Sequence, residues 1–472
     1  MADSPKVRSP VAAVDVEAQA IKRCSVLSQV DNLVTISGVD LSYTVPVSGP
    51  TTTPKKKPEL QILSDVTATF KSGRMTAVMG ASGAGKTSLL YAMAGELPPS
   101  RMSGKLLVNG EPCQPTRIKQ ISGFVFQDDV LLDTMTVQEA LIMSATLRLK
   151  HVSRQEERNG MVRELLQILG LEHCKSTVIG SSQVKGISGG ERKRCAIAME
   201  LITNPAVLFL DEPTSGLDTL TAYNVVATLR DLAHIHGRTI ICTIHQPSSD
   251  IYHLFDDLLL LGSGRVLYNG AVEGAIDYFN KRGFPCPHYT NPADYFFMHV
   301  VGQPGLADQW AGSQECKLIR SEIDSTLPGG IPKNIVKQHA SMWVQFRYLL
   351  KRQIRNAYRN HMILNVKLFQ NILVGLLVGL IYYDTDSKSV PTQIQDRNGA
   401  LYFVVVSQFM GASMGFVSVF STEKAVFMRE YGAGYYSIIP YFFSKILVEV
   451  LTLNVVCHII QSNKIYCRCR FK

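Results

Sequence analysis

The chain has 472 residues, 46% hydrophobic and 18% charged, with a formal net charge of +9. That length has room for two or three domains, and the apolar content excludes a disordered or fibrous chain. The charge is no nucleic-acid footprint: residues 1–340 carry 33 basic and 33 acidic side chains while 341–472 carry 15 and 6, so the whole excess lies in the most apolar third, as in a membrane domain.

Residues 1–32 are polar and aperiodic, and a disordered tail is expected there, with no apolar run that would serve as a signal peptide. From 33 to 300, short β-rich runs alternate with helical patterns. Strands are expected at Met75–Met79, Gly123–Phe126, Val207–Leu210 and Thr239–Ile244. This alternation predicts an α/β domain with a largely parallel sheet covered on both faces. Residues 46–58 hold four prolines and three lysines, which predicts an exposed loop between two strands. Residues 301–345 lack periodicity and read as a linker. Residues 346–472 read as a partial all-α transmembrane domain. It opens on Arg347, Lys351, Arg352, Arg355 and Arg359, with helices expected at about 362–383, 399–420 and 438–460. GxxxG pairs at Gly375/Gly379 and Gly411/Gly415 would let helices pack closely. The ten cysteines show no metal-site spacing and read as reduced and cytosolic.

Three stretches carry chemistry. Gly80-Ala-Ser82-Gly83-Ala-Gly85-Lys86-Thr87, followed by Ser88, lies between a strand and a helix and matches GxxxxGK[ST]. Its glycines would let backbone N–H groups wrap a phosphate, Lys86 would add a cation, and the Thr87 hydroxyl would face Mg²⁺. Val207–Leu210 is wholly apolar and ends in Asp211-Glu212, so the two carboxylates belong at the C-terminal edge of a central strand, where ligands bind. Asp211 would assist Mg²⁺ and Glu212 would orient the attacking water. Ser188-Gly189-Gly190-Glu191 is a capping box that opens a helix, and its paired glycines suit an anion site.

In this order, the three stretches resemble the ATP-binding-cassette family. The resemblance implies that Gln127 is the glutamine that senses Mg²⁺ and the membrane domain, that Asp218 belongs to the D-loop and that His245 contacts the γ-phosphate. It implies that Tyr43 stacks on adenine. The cassette precedes the apolar segments, and Ser188–Arg194, Thr243–Ser249, Asn291–Tyr295 and Phe427–Glu430 resemble the G subfamily of white/brown-complex half-transporters. The fold implied is an α/β P-loop nucleotide-binding domain followed by an incomplete helical membrane domain. The activity implied is ATP hydrolysis with Mg²⁺, coupled to transport of a small hydrophobic substrate (lipid, sterol or xenobiotic). The partners implied are a second G-type half-transporter, in a homo- or heterodimer, and membrane lipid. The cassette would be cytosolic in an integral membrane protein. Each ATP would lie between the phosphate loop of one chain and the Ser188–Gly190 segment of the other.

The family has six membrane helices and this chain has room for three, ending in Gln461–Lys472, which resembles nothing in the family. By the positive-inside rule, a third span would place Lys464, Arg468, Arg470 and Lys472 on the wrong side. A C-terminally truncated product is therefore expected. The alternative function is a non-transporting fragment that binds ATP and regulates full-length partners. A soluble ABC ATPase is opposed by the apolar segments.

Overall fold

The structure is a computed structural model that describes residues 33–46, 59–149, 154–181, 184–326, 329, 340–381 and 389–462. The expected tail at 1–32, most of the Pro-Lys loop and the last ten residues lie outside the described residues. The strands are β1 (Ile36–Pro46), β2 (Glu59–Phe70), β3 (Met75–Gly80), β4 (Met102–Val108), β5 (Glu111–Pro112), β6 (Ser122–Val125), β7 (Val207–Leu210), β8 (Thr239–Thr243), β9 (Asp257–Gly262) and β10 (Arg265–Ala271). They form two sheets. One is antiparallel, ordered β2-β1-β4-β5; the other is ordered β10-β9-β3-β8-β7-β6. In the second sheet β6 to β9 run parallel with β3, and β10 closes the edge antiparallel to β9.

The sequence accounts for the central sheet. β3, β7 and β8 are buried at every position, and a strand covered on both faces needs apolar residues throughout, not in alternation. Helices Lys86–Met93, Gly189–Leu201 and Thr219–His236 follow β3 or flank β7 and bury their apolar sides on this core. The phosphate loop, Asp211-Glu212 and His245 all lie at the C-terminal edges of adjacent parallel strands. The order β3-β8-β7 fixes that juxtaposition.

The stretch read as a linker contains helices Leu306–Gly312 and Gln314–Ser325. Trp310 is buried, with its ring 5.7 Å from Tyr268 and 5.5 Å from Tyr278, so this segment packs on the α/β domain. Beyond it run helices Met342–Arg359, His361–Ile381, Val390–Gly432 and Ile438–Ser462. The third is a single helix of 43 residues where a span of 399–420 was expected. Among the described residues, no helix is long and apolar enough to cross a membrane.

Candidate nucleotide site

The loop after β3 depends on glycine at two points. Gly80 and Gly85 have φ of 154° and 94°, a region that L side chains avoid. A Cβ on Gly80 would lie 2.4 Å from Leu261 O, and one on Gly85 would lie 2.8 Å from Leu63 Cδ2. Ser82 and Gly83 are exposed on the crest of the loop, and Thr87 and Ser88 are half-buried in the first helical turn. Lys86 is buried and folds back over the loop, its Nζ donating to Gly80 O at 2.8 Å and Ala81 O at 3.0 Å. Burial pulls its ammonium below the usual lysine value, against the opposing pull of Glu212 and Asp211.

Asp211 is buried at the end of β7. Its Oδ1 accepts from Thr87 Oγ1 at 3.2 Å and from Thr243 Oγ1 at 2.6 Å. The same Thr243 hydroxyl accepts from Glu212 N at 2.8 Å, and Gln127 Nε2 donates to Glu212 Oε2 at 2.9 Å. Thr87, Asp211, Glu212 and Gln127 therefore form one connected cluster beside Lys86. Oxygen donors from a hydroxyl, a carboxylate and an amide suit a hard cation such as Mg²⁺. Glu212 has a φ of 46° and Gln246, next to His245, a φ of 45°. Neither residue is a glycine, so the backbone is strained at Glu212 and at the residue that follows His245. His245 is exposed, one strand away on the extension of β8, its ring edge-on to Phe297 with 5.6 Å between centroids.

Other expected residues lie apart from this cluster. Ser188 is exposed and caps helix Gly189–Leu201: its Oγ accepts from Glu191 N at 3.3 Å, and Glu191 Oε2 accepts from Ser188 N at 2.7 Å. Burial pushes the Glu191 carboxyl up, but the hydrogen bonds from Ser188 and then His173 outweigh it and hold it below the usual carboxylate range. Gly190 abuts helix Thr219–His236, where a Cβ would lie 2.3 Å from Thr221 Cγ2, whereas Gly189 has room for one. Asp218 is exposed and caps that same helix at Thr221 N, 3.0 Å away. Tyr43 is 9% exposed within β1 and belongs to the core.

Sequence reading missed two residues that hold the cluster together. Thr243 is one; Leu210 pairs with Cys242, so the next register position sets Asp211 beside Thr243. Lys193 is the other. It is buried in the capped helix, pairs with Asp129 at 3.0 Å and donates to Gln127 O at 2.8 Å. A lysine three residues past a glycine pair carries no sequence signal for that contact.

The ABC transporter family pattern matches residues 63–215, and ABC-2 type transporter patterns match 245–314 and 344–463. The Rattus norvegicus "Broad substrate specificity ATP-binding cassette transporter ABCG2" is 34% identical over 446 residues, covering 87% of this chain and 67% of the relative. Its Sus scrofa counterpart is 36% identical over 455 residues, covering 89% and 68%. The chain belongs to the G-type ABC transporter family. "Protein white" of Drosophila melanogaster, 35% identical over 413 residues, covers 83% of this ABC transporter and is itself 59% covered. An α/β ATPase domain followed by a helical ABC-2 region is the family's architecture, and the activity is ATP hydrolysis coupled to transport.

Proposed function

We propose that this ABC transporter works as a half-transporter. Two chains pair their cassettes head to tail, and ATP binding and hydrolysis drive a hydrophobic substrate across a membrane. The observation that carries the reading is the cluster of Lys86, Thr87, Asp211, Glu212 and Gln127 at one sheet edge. Lys86 and the loop N–H groups bind the phosphates of ATP. Thr87 and Asp211, with Gln127, hold Mg²⁺, which when bound neutralises charge on the phosphates. Glu212 orients the attacking water and accepts its proton, with Gln127 holding the carboxylate and Thr243 the backbone N–H of the same residue. His245 reaches the γ-phosphate from the neighbouring strand, and Tyr43, mostly buried in β1, touches adenine with its small exposed edge and not face to face. Ser188, Gly189, Gly190 and Asp218 serve the ATP of the second chain. That assignment fits the exposure of Ser188, Gly189 and Asp218 and the separation of all four from the cluster.

The apolar surface beyond residue 360 supports lipid embedding of three helical segments. Leu373, Leu380, Phe409, Ile438, Phe443 and Leu451 are among the exposed large side chains there. The G-type relatives support transport over the regulatory-fragment reading, and the broad substrate specificity of the ABCG2 relatives supports a lipid, sterol or xenobiotic cargo. The test uses the purified full chain in nanodiscs. Glu212→Gln abolishes turnover while ATP still binds; undiminished turnover would refute the role of Glu212. ATP-dependent uptake of a sterol or dye into inverted vesicles tests the cargo class, and uptake independent of ATP overturns the transport reading.

A further inference from the structure

Outside the ATP cluster, a single 3₁₀ turn, Glu172–Cys174, presses on the start of helix Gly189–Leu201. His173 Nε2 lies 2.6 Å from Glu191 Oε1. Cys174 completes the group, and one ligand atom from each of the three residues lies within 4.8 Å of the others. We propose that His173, Cys174 and Glu191 bind a thiophilic divalent cation of the Zn²⁺ class at the base of the Ser188–Gly190 turn.

The donor set selects the ion. One imidazole nitrogen, one cysteine sulfur and one carboxylate oxygen suit a tetrahedral Zn²⁺ with a fourth position left to water. The Cys174 thiol, pushed up to about 11 by burial and Glu191, gives up its proton as the ion binds. A sulfur donor disfavours Mg²⁺ and Ca²⁺. Zinc bonds are about 2.0–2.3 Å long, so the three donors need shift only a little to share one ion. His173 has that freedom, because its side chain is 65% exposed. Glu191 need not leave its cap. Its Oε2 serves Ser188 N and Oγ at 2.7 Å and 2.8 Å, while Oε1 faces His173. Neither composition nor spacing announced the site, because Glu191 is brought to the His-Cys pair by the fold.

Occupancy has a consequence that rests on the proposed role of Ser188–Gly190. The ion fixes Glu191, Glu191 fixes the Ser188 turn, and the bound chain closes less readily on a second chain's ATP.

The test starts from metal-free full chain in nanodiscs without nucleotide, titrated with Zn²⁺ against a chromophoric chelator. One equivalent binds, and His173→Ala and Cys174→Ala each weaken it by about 10–100-fold, the loss seen on perturbing a metal's ligand shell. Co²⁺ in place of Zn²⁺ gives tetrahedral visible bands and a thiolate charge-transfer band that Cys174→Ala removes. Zn²⁺ lowers ATP turnover of the unmodified chain over the same range and leaves His173→Ala level. Binding indifferent to both substitutions, or a Co²⁺ spectrum without the thiolate band, overturns the site. Equal inhibition of both chains overturns its link to the Ser188 turn. A chain that binds Zn²⁺ through these residues yet does not respond to loss of Glu212 refutes the ATP-site roles and leaves the metal site standing.

Discussion

Thr243 stands behind both acids of the nucleotide site. Its hydroxyl donates to Asp211 and accepts from Glu212 N, and the residue is fully buried. Thr243→Val keeps the shape and deletes both bonds. A buried group left unpaired costs about 1–3 kcal/mol, and Glu212 loses the anchor of its left-handed backbone. The expected result is a Tm lowered by several degrees and a reduced kcat with little change in KM for ATP; Thr243→Ser restores both. An unchanged kcat in Thr243→Val would show that Glu212 holds its place without this anchor. Lys193 makes the same kind of argument with charge. Breaking a buried pair by removing one partner costs about 3–5 kcal/mol, while replacing both is far milder. Lys193→Met should therefore destabilise strongly, since Asp129 is already pushed up by burial and relieved by Lys193. Adding Asp129→Leu to Lys193→Met should recover most of the loss in thermal unfolding. A double variant as unstable as the single one contradicts this.

The helix Met342–Arg359 meets the cassette through charge. Arg355 and Arg359 both reach Glu139, at 2.7 Å and 2.6 Å, and Arg359 also donates to Thr134 O at 2.7 Å. Arg352, 5% exposed, pairs with Glu430 at 2.7 Å. The same basic residues read in sequence as the opening of the transmembrane domain; in the fold, three of the five are clamps, because the acids that face them come from distant parts of the chain. Burial raises the Glu139 carboxyl, and Arg359, the Thr136 N–H and Arg355 together overcome it and hold the group below the usual carboxylate range. A depressed carboxylate stabilises the folded state fully above its unfolded pKa, about 4.3 for Glu, and the gain is lost as pH falls through the folded value. Comparing Tm of the unmodified chain with Glu139→Gln should therefore show a gap of a few degrees at neutral pH that closes on acidification below about 4.3; a gap that persists there would rule out charge as its source. Other elements were partly legible. β7 appeared at its full length because an apolar run bounded by Pro205 and Asp211 leaves little choice. The helix Val390–Gly432 was foreseen only in its middle. The apolar run ends at Phe420, but no helix breaker follows until Gly432 and Gly434, so the helix continues through Glu423 and Glu430 to reach the cassette. Helices 306–325 escaped notice because Trp310 and Cys316 are too sparse to set a period.

For the molecule as a whole, the proposed reading gives each group of motifs half a site, and the chain seats the halves apart. The phosphate loop and Asp211-Glu212 come together through adjacent parallel strands, a placement that strand order makes inevitable. Ser188, Gly189 and Asp218 open two different helices and are exposed to solvent, which no spacing rule could have announced. If these halves complete one another between two chains, complementation follows. Lys86→Ala removes the cation of one half. Gly189→Asp puts a carboxylate where the other half would meet phosphate, and the fold accepts it, since a Cβ there meets only Leu217 and Gly216 at 3.8 Å and 3.9 Å. Each variant alone should lose ATP turnover. Co-expressed with separate tags and purified as a mixed dimer, they leave one doubly damaged site and one intact site, built from Lys86 of the Gly189→Asp chain and Gly189 of the Lys86→Ala chain. Hydrolysis in the mixed dimer should recover to at most half the rate of the unmodified pair. If every site were built within a single chain, both sites of the mixed dimer would carry one lesion and no turnover would return, so an inactive mixed dimer that still binds ATP would count against head-to-tail pairing.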